Sequence, residues 1–215
     1  FVKMLLCMNL FLMCCAKPLP SQTAGFDILI PHIALGGGYR GILYLGDPVG
    51  LAQRDVEVSF FDDGGSPLAV RINSGPASAS TRLTLSRFEE KGLTLTVDGN
   101  SVRTGWVRIR CDRSTKLNAS LRFLFAGSGA SPTDAVGIFP SGAQRVWYVT
   151  VDRSTAGQYT GIGAANPNNR PLEVEFNFYQ GAKRVPGTTA VRKTLAPLGH
   201  LAIFAHELFP VNFSG

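Results

Sequence analysis

The feature that most constrains this chain is a pattern written twice. Gly41-Ile-Leu-Tyr-Leu-Gly-Asp-Pro precedes Asp55-Val-Glu-Val-Ser-Phe-Phe-Asp-Asp-Gly-Gly. Thr160-Gly-Ile-Gly-Ala-Ala-Asn-Pro precedes Leu172-Glu-Val-Glu-Phe-Asn-Phe-Tyr-Gln-Gly-Ala. Each half reads as a short apolar strand, an Asp/Asn-Pro turn, an alternating strand and a glycine turn. Similarity at this spacing points to a tandem module. A module specified by strands and turns favours a spacer or binding surface over an enzyme.

Composition agrees with many strands and tight turns. Of 215 residues, 45% are hydrophobic and only 17% charged, with 24 Gly, 13 Pro and 14 Phe. That apolar content supplies a packed core and excludes wholesale disorder. The net charge is +6, falling to +4 without Lys3 and Lys17, so the ordinary reading is a mildly basic surface and not a nucleic-acid footprint.

Those two lysines flank an apolar run, Met4 to Ala16, followed by the polar, Pro-containing Lys17-Pro-Leu-Pro-Ser-Gln-Thr-Ala. The run is short against the ~20 residues of a bilayer-spanning helix and suits the apolar centre of a signal peptide. Export is the expectation, with cleavage between Ala16 and Ala24. Cys7, Cys14 and Cys15 fall in this leader and leave Cys111 alone in the body, so no internal disulfide is expected. Cys111 follows the alternation of Trp106-Val-Arg-Ile-Arg-Cys and reads as a small buried hydrophobe, not a nucleophile.

Strands dominate the body. Phe26 to Ile33, Tyr39 to Leu45, Asp55 to Phe61, Leu68 to Ile72, Thr81 to Leu85, Leu93 to Val97, Gly105 to Cys111 and Leu117 to Phe125 all alternate or are continuously apolar between turn signals. Asp47-Pro48 ends its strand because proline lacks a donor and biases the preceding residue away from helix. Asp62-Asp-Gly-Gly-Ser-Pro is a hairpin signal. Ser86 to Gly92 is either one helical turn or a polar loop. Small residues from Ala126 to Asp134 read as a connection, and Arg145 to Val151 as the strand that opens a second module. Leu201 to Leu208 places Leu201, Phe204, Ala205 and Leu208 on one helical face, with Pro210 as the stop.

These residues carry a resemblance. Ile30-Pro-His-Ile with Gly36-Gly-Gly-Tyr, Asp47-Pro48, Val58-Ser-Phe-Phe-Asp-Asp-Gly-Gly-Ser-Pro-Leu and Gly105-Trp-Val-Arg, then Thr160 to Pro167 and Leu195 to Pro210, resemble a repeat module of large exported bacterial proteins of unassigned function. The resemblance spans most of residues 26 to 215 and implies immunoglobulin-like β-sandwich modules on a multi-module protein. It implies no catalytic residues. The first copy departs from the pattern at Gly46-Asp47, against Ala165-Asn166 in the second. It also has Phe88-Glu-Glu-Lys where a Pro-Gly-Gly type of turn is expected, which bears on turn geometry.

No reactive constellation stands out in the sequence. His200 and His206 are six apart, on opposite sides of a helix, and His32 lies far away in sequence; no Cys/His/carboxylate spacing completes a metal site. His200 beside Gly199 reads as capping or preceding the short helix. Neither a Gly-x-Ser-x-Gly elbow nor a His-Glu-x-x-His helix occurs. Asp62-Asp63 can be drawn as calcium ligands, but a solvated hairpin is the plainer reading. Glu89 and Glu90 are adjacent and point apart, unlike a glycosidase pair. Arg103, Arg108, Arg110 and Arg113 form a basic stretch without interleaved aromatics for base stacking. Arg108 and Arg110 share a strand face opposite Val107 and Ile109, which reads as solvent-facing. Trp106 and Trp147 read as core or inter-sheet anchors, not sugar platforms.

The expected organisation is all-β: a leader over 1–24, an antiparallel sandwich over 25–126, a connection over 127–144, and a second, C-terminally incomplete sandwich over 145–215. The expected role is a non-catalytic structural, spacer or adhesion module, secreted or at the cell surface. No catalytic, cofactor-binding or metal-binding residue is assigned and no cofactor is implied. Partners are neighbouring modules or surface glycans, not nucleic acid, with membrane contact only through an uncleaved leader. The alternatives are a carbohydrate-binding module using Tyr39, Tyr159 or Tyr179, or an ancillary domain of a secreted hydrolase.

Overall fold

The structure is a computed structural model and describes residues 26–50, 53–111, 117–125, 134–151 and 159–210. The leader and Arg113 lie outside the described residues. Almost all regular structure is β, with antiparallel pairing throughout.

The first region runs through β1 (Phe26–Leu35), β2 (Tyr39–Gly46), β3 (Arg54–Asp62), β4 (Val70–Ile72), β5 (Ala77–Ser78), β6 (Ser80–Leu85), β7 (Glu90–Thr96), β8 (Arg103–Cys111), β9 (Asn118–Phe125) and β10 (Asp134–Ile138). One sheet has the order β1-β8-β3-β6 and the other β10-β9-β2-β7-β4-β5. Their inner faces share one core. The first sheet contributes Ile30, Ile33, Val58, Phe60, Val107 and Ile109; the second contributes Leu43, Leu45, Leu95, Leu121 and Phe123. Alternation decides this, because side chains two apart share a face of a strand. Cys111 belongs to the same core at 1% exposure.

Three readings from sequence change here. Residues 134–138 fall within the expected connection, yet they form edge strand β10, with Val136 opposite Phe123. Arg145 to Val151 makes no ladder, although its Trp147 packs against an apolar cluster. The segment from Leu201 is mostly strand: β16 (His200–Phe204) runs directly into the four-residue helix α1 (Ala205–Leu208). Pairing with a neighbouring strand outweighs a helical stripe too short to hold a helix alone.

The second region is built from two-stranded ladders. These are β11 (Gly161–Ala165) with β16, β12 (Leu172–Phe176) with β15 (Val191–Leu195), and β13 (Tyr179–Gln180) with β14 (Lys183–Arg184). Its buried clusters are small, one around Ala164, Leu172, Val174 and Leu195 and one around Ile162, Ala205, Leu208 and Phe209.

Registers in the two regions run in parallel. Arg54 faces Leu85 as Leu172 faces Leu195, and Gly46 faces Glu90 as Ala165 faces His200. The turn after Leu85 is closed by Glu89 N–H to Ser86 C=O at 3.2 Å, and that after Leu195 by Gly199 N–H to Ala196 C=O at 2.9 Å. Both turns hold a non-glycine residue at positive φ, Phe88 at 58° and Leu198 at 57°. Asp47 N–H donates to Glu89 C=O at 3.1 Å, and Asn166 N–H to Gly199 C=O at 2.8 Å.

Candidate functional site

Position 32 begins with a proline. In β1 the register with β8 shifts between Ile30 and Ile33, so Pro31 and His32 together face a single residue of β8. Pro31 has no N–H to offer a ladder, and a bulge at that point redirects the following side chain. His32 is buried at 8% exposure, edge-on to Phe123 and stacked on His200 with ring centroids 5.1 Å apart.

His200 reaches this place from the other region. Its backbone N–H donates to Asp63 C=O at 3.0 Å, and its Nδ1 lies 2.8 Å from Asp63 Oδ1. Its Nε2 lies 3.1 Å from His32 Nδ1. Thr104 Oγ1–H donates to the second carboxylate oxygen of Asp63 at 2.6 Å. The carboxylate fixes a proton on His200 Nδ1, so in the neutral ring Nε2 accepts from His32 Nδ1–H. Burial, reinforced by the neighbouring His200, pushes the His32 pKa down to about 3, with Asp63 opposing. Asp63 is held below the ordinary carboxylate value, chiefly by its hydrogen bond to His200 and further by Thr104, against a desolvation that would raise it. His200 is therefore a strand residue locked to a carboxylate, and it does not cap α1. There, the Glu207 carboxylate accepts the Phe204 N–H at 2.7 Å.

The outer face of β8 continues the contact. Trp106 is fully buried, stacks on Phe61 with centroids 4.7 Å apart, and donates Nε1–H to Leu198 C=O at 2.7 Å. Leu29, Ala165, Trp147 and Leu198 complete its surroundings. Arg108, read from sequence as solvent-facing, lies over the Phe61 and Trp106 rings and donates to Pro167 C=O at 2.6 Å. Arg110 is exposed, in line with the solvent-facing reading, and pairs with Asp27 at 3.1 Å. The second region thus covers a sheet face that alternation alone assigns to water.

An Asp–His pair aligned in this way can orient an imidazole for proton transfer. Here the atom facing His200 Nε2 is another imidazole nitrogen, where a nucleophile would have to stand. The chain of polar groups joins the two regions. Among the described residues, no group of three or more His, Cys, Asp or Glu side chains is placed to hold a metal ion. No helix among them is long and apolar enough to cross a membrane.

The remaining sequence candidates are dispersed. Asp62 Oδ1 accepts the Ser66 N–H at 2.8 Å inside its own hairpin. Glu89 is tied to the Ser86 N–H and to Lys91, while Glu90 is exposed. His206 packs on Tyr159. Tyr39 packs on Phe125, and of the three tyrosines weighed for glycan contact only Tyr179 is exposed, at 51%. A cleft of about 550 Å³ lies beside Tyr44, Asp47, Glu90 and Asn118, rimmed by Phe88 and Phe139, which are 68% and 75% exposed. Spacing gives no hint of the His32–His200–Asp63 cluster, since its members are 137 and 168 residues apart. The available signal was Pro31 inside a strand, which marks a bulge.

No family model matches this chain, and no curated protein matches it. Among solved structures, the crystal structure of Thermotoga maritima 1070 is similar at a TM-score of 0.40, with 9% identity, over 56% of this chain and 96% of that one.

Proposed function

We propose that this chain is a non-catalytic structural module, a spacer or adhesion element of an exported bacterial protein. On this reading it consists of two copies of an immunoglobulin-like sandwich unit, the second represented by its β11–β16 and β12–β15 ladders. The observation that carries it is the parallel register of the two regions, down to the positive φ at Phe88 and Leu198. Repeated units stacked through nearest-neighbour contacts act as scaffolds. The junction supports that role, because its histidines and carboxylate hold one region against the other.

The direct test is a substrate screen over esters, glycosides and peptides with the full chain, run beside His200→Ala. Absence of turnover is expected in both. Turnover that vanishes in the variant would overturn the proposal. A carbohydrate-binding module is the second reading, supported by the cleft beside Phe139. A glycan array in which wild type and Phe139→Ala both score nothing removes it. An ancillary role beside a secreted hydrolase remains the third reading.

A further inference from the structure

The exposed Phe88 occupies a position whose counterpart in the same molecule, Leu198, is half-buried against an apolar cluster. On the repeat reading just proposed, on which this inference rests, Phe88 corresponds to Leu198 and Glu90 to His200. Both turns follow a buried leucine, both place the named residue at positive φ, and both hand the chain to a strand in the same register. Leu198 packs in the cluster of Trp106, Leu29 and Ala165, and His200 bonds to the Asp63 hairpin. What covers this turn in the second region is therefore the outer sheet face and hairpin of a like unit. In the first region the same turn is open, with Phe88 68% exposed and Glu90 exposed.

The receiving side has a counterpart as well. Counting along the matched strands from Arg54 and Leu172, Phe61 corresponds to Tyr179. The hairpins that follow agree, because Leu68 N–H donates to Phe60 C=O and Val185 N–H to Phe178 C=O, both at 3.0 Å. Phe61 lies under the second region, whereas Tyr179 is 51% exposed. The charge at the hairpin has also changed sign. The first hairpin presents Asp63 to His200; the second carries Lys183 and Arg184, both exposed. The inserted residue changes in the compensating sense, from His200 to Glu90. Between Arg87 and the Glu89–Lys91 ion pair, Glu90 is the exposed acid of a turn that bears an exposed aromatic, and it matches a basic hairpin with an exposed aromatic in the other region.

We propose that copies of this chain associate head to tail, the Phe88–Glu90 turn of one seated on the Tyr179, Lys183 and Arg184 hairpin of the next. The contact repeats the hairpin part of the intrachain junction with its charges exchanged. It is heterologous, so it continues into open assemblies or closes into rings and does not stop at a two-fold dimer. Charge pairs at its rim make it weaker in salt.

Sedimentation velocity of the full chain, from about 10 μM to about 1 mM in low salt, tests this. The weight-average sedimentation coefficient should rise with concentration and fall back at 0.5 M salt. Phe88→Ser, Glu90→Lys and the pair Lys183→Glu/Arg184→Glu should each abolish the rise while leaving the far-UV circular dichroism unchanged. Combining Glu90→Lys with Lys183→Glu/Arg184→Glu should restore it. A wild type that stays monomeric throughout, or association indifferent to these changes, overturns the proposal. The repeat reading fails separately, if an experimental structure shows that the Phe88 and Leu198 turns, with the strands flanking them, do not superpose.

Discussion

Asp47 and Asn166 occupy corresponding turns and solve the same problem with different chemistry. Asp47 Oδ1 accepts the N–H groups of Val49 and Gly50 at 3.3 and 3.2 Å and pairs with the buried Arg54 at 3.2 Å. Burial on its own would raise the Asp47 pKa; hydrogen bonds from Arg54 and Gly50 outweigh that and hold it below the usual carboxylate value. In the second region the acid is an amide and the arginine is Leu172. Asn166 Oδ1 accepts the Asn168 N–H at 3.0 Å, and its Nδ2 donates to Arg170 C=O and Ala196 C=O at 2.7 and 2.8 Å. Both turns are held by a side chain mimicking a backbone acceptor. A buried charge requires a buried countercharge, whereas a neutral amide can be satisfied by carbonyls alone. The swap at one position therefore comes with a swap at the other.

The largest test of how the two regions depend on each other is Trp106→Ala. It removes the fully buried ring that joins them and should cost about 3–5 kcal/mol in urea denaturation. A loss below about 1 kcal/mol would mean that the regions are stable independently. Acid comes next. Because the folded His32 pKa lies near 3, below the ordinary 6.5, the unfolded chain binds the extra proton. Stability from this group is thus full above pH 6.5 and drains as pH falls toward 3, by up to about 3 kcal/mol at pH 4. The depressed Asp63 adds a loss of the same sign in the acid range. His32→Gln should flatten the profile of unfolding free energy between pH 7 and 4; an unchanged slope would place its origin elsewhere.

A smaller contrast separates the two hairpins. Gly65 and Gly181 both have positive φ, at 87° and 59°. A methyl on Gly65 runs into the Pro197 carbonyl oxygen, while one on Gly181 meets nothing within 4 Å. Gly181→Ala should cost only the ~1–2 kcal/mol of left-handed backbone. Gly65→Ala should cost more and should red-shift Trp106 fluorescence as the junction opens; equal costs would break the contrast. The smallest effect is expected of Asp47→Asn combined with Arg54→Leu, which writes the second region's solution into the first. The pair should be closer to wild type in thermal unfolding than either single change, as a double-mutant cycle reads.

Much of the architecture was legible in the chain. Alternation at Val56, Val58 and Phe60 located an inner face, and Asp47-Pro48 and Asp62 to Gly65 located turns, because these signals act within a few residues. The helical stripe of Leu201, Phe204, Ala205 and Leu208 misled, since His200–Phe204 finds an earlier partner strand at Gly161–Ala165. The role of His200 was invisible, since nothing near it in sequence supplies Asp63 or His32.

Sequence alone determined that this protein is made of alternating strands and tight turns. Steric limits on φ and the two-residue period of a strand are local, so residue order states them directly. Tertiary structure alone decided that the outer face carrying Phe61, Trp106 and Arg108 is covered, and that the exposed Asp63 joins the buried His200 and His32 in one chain of hydrogen bonds. Those outcomes depend on which distant surface meets which, and alternation records only that a side chain has left its own core.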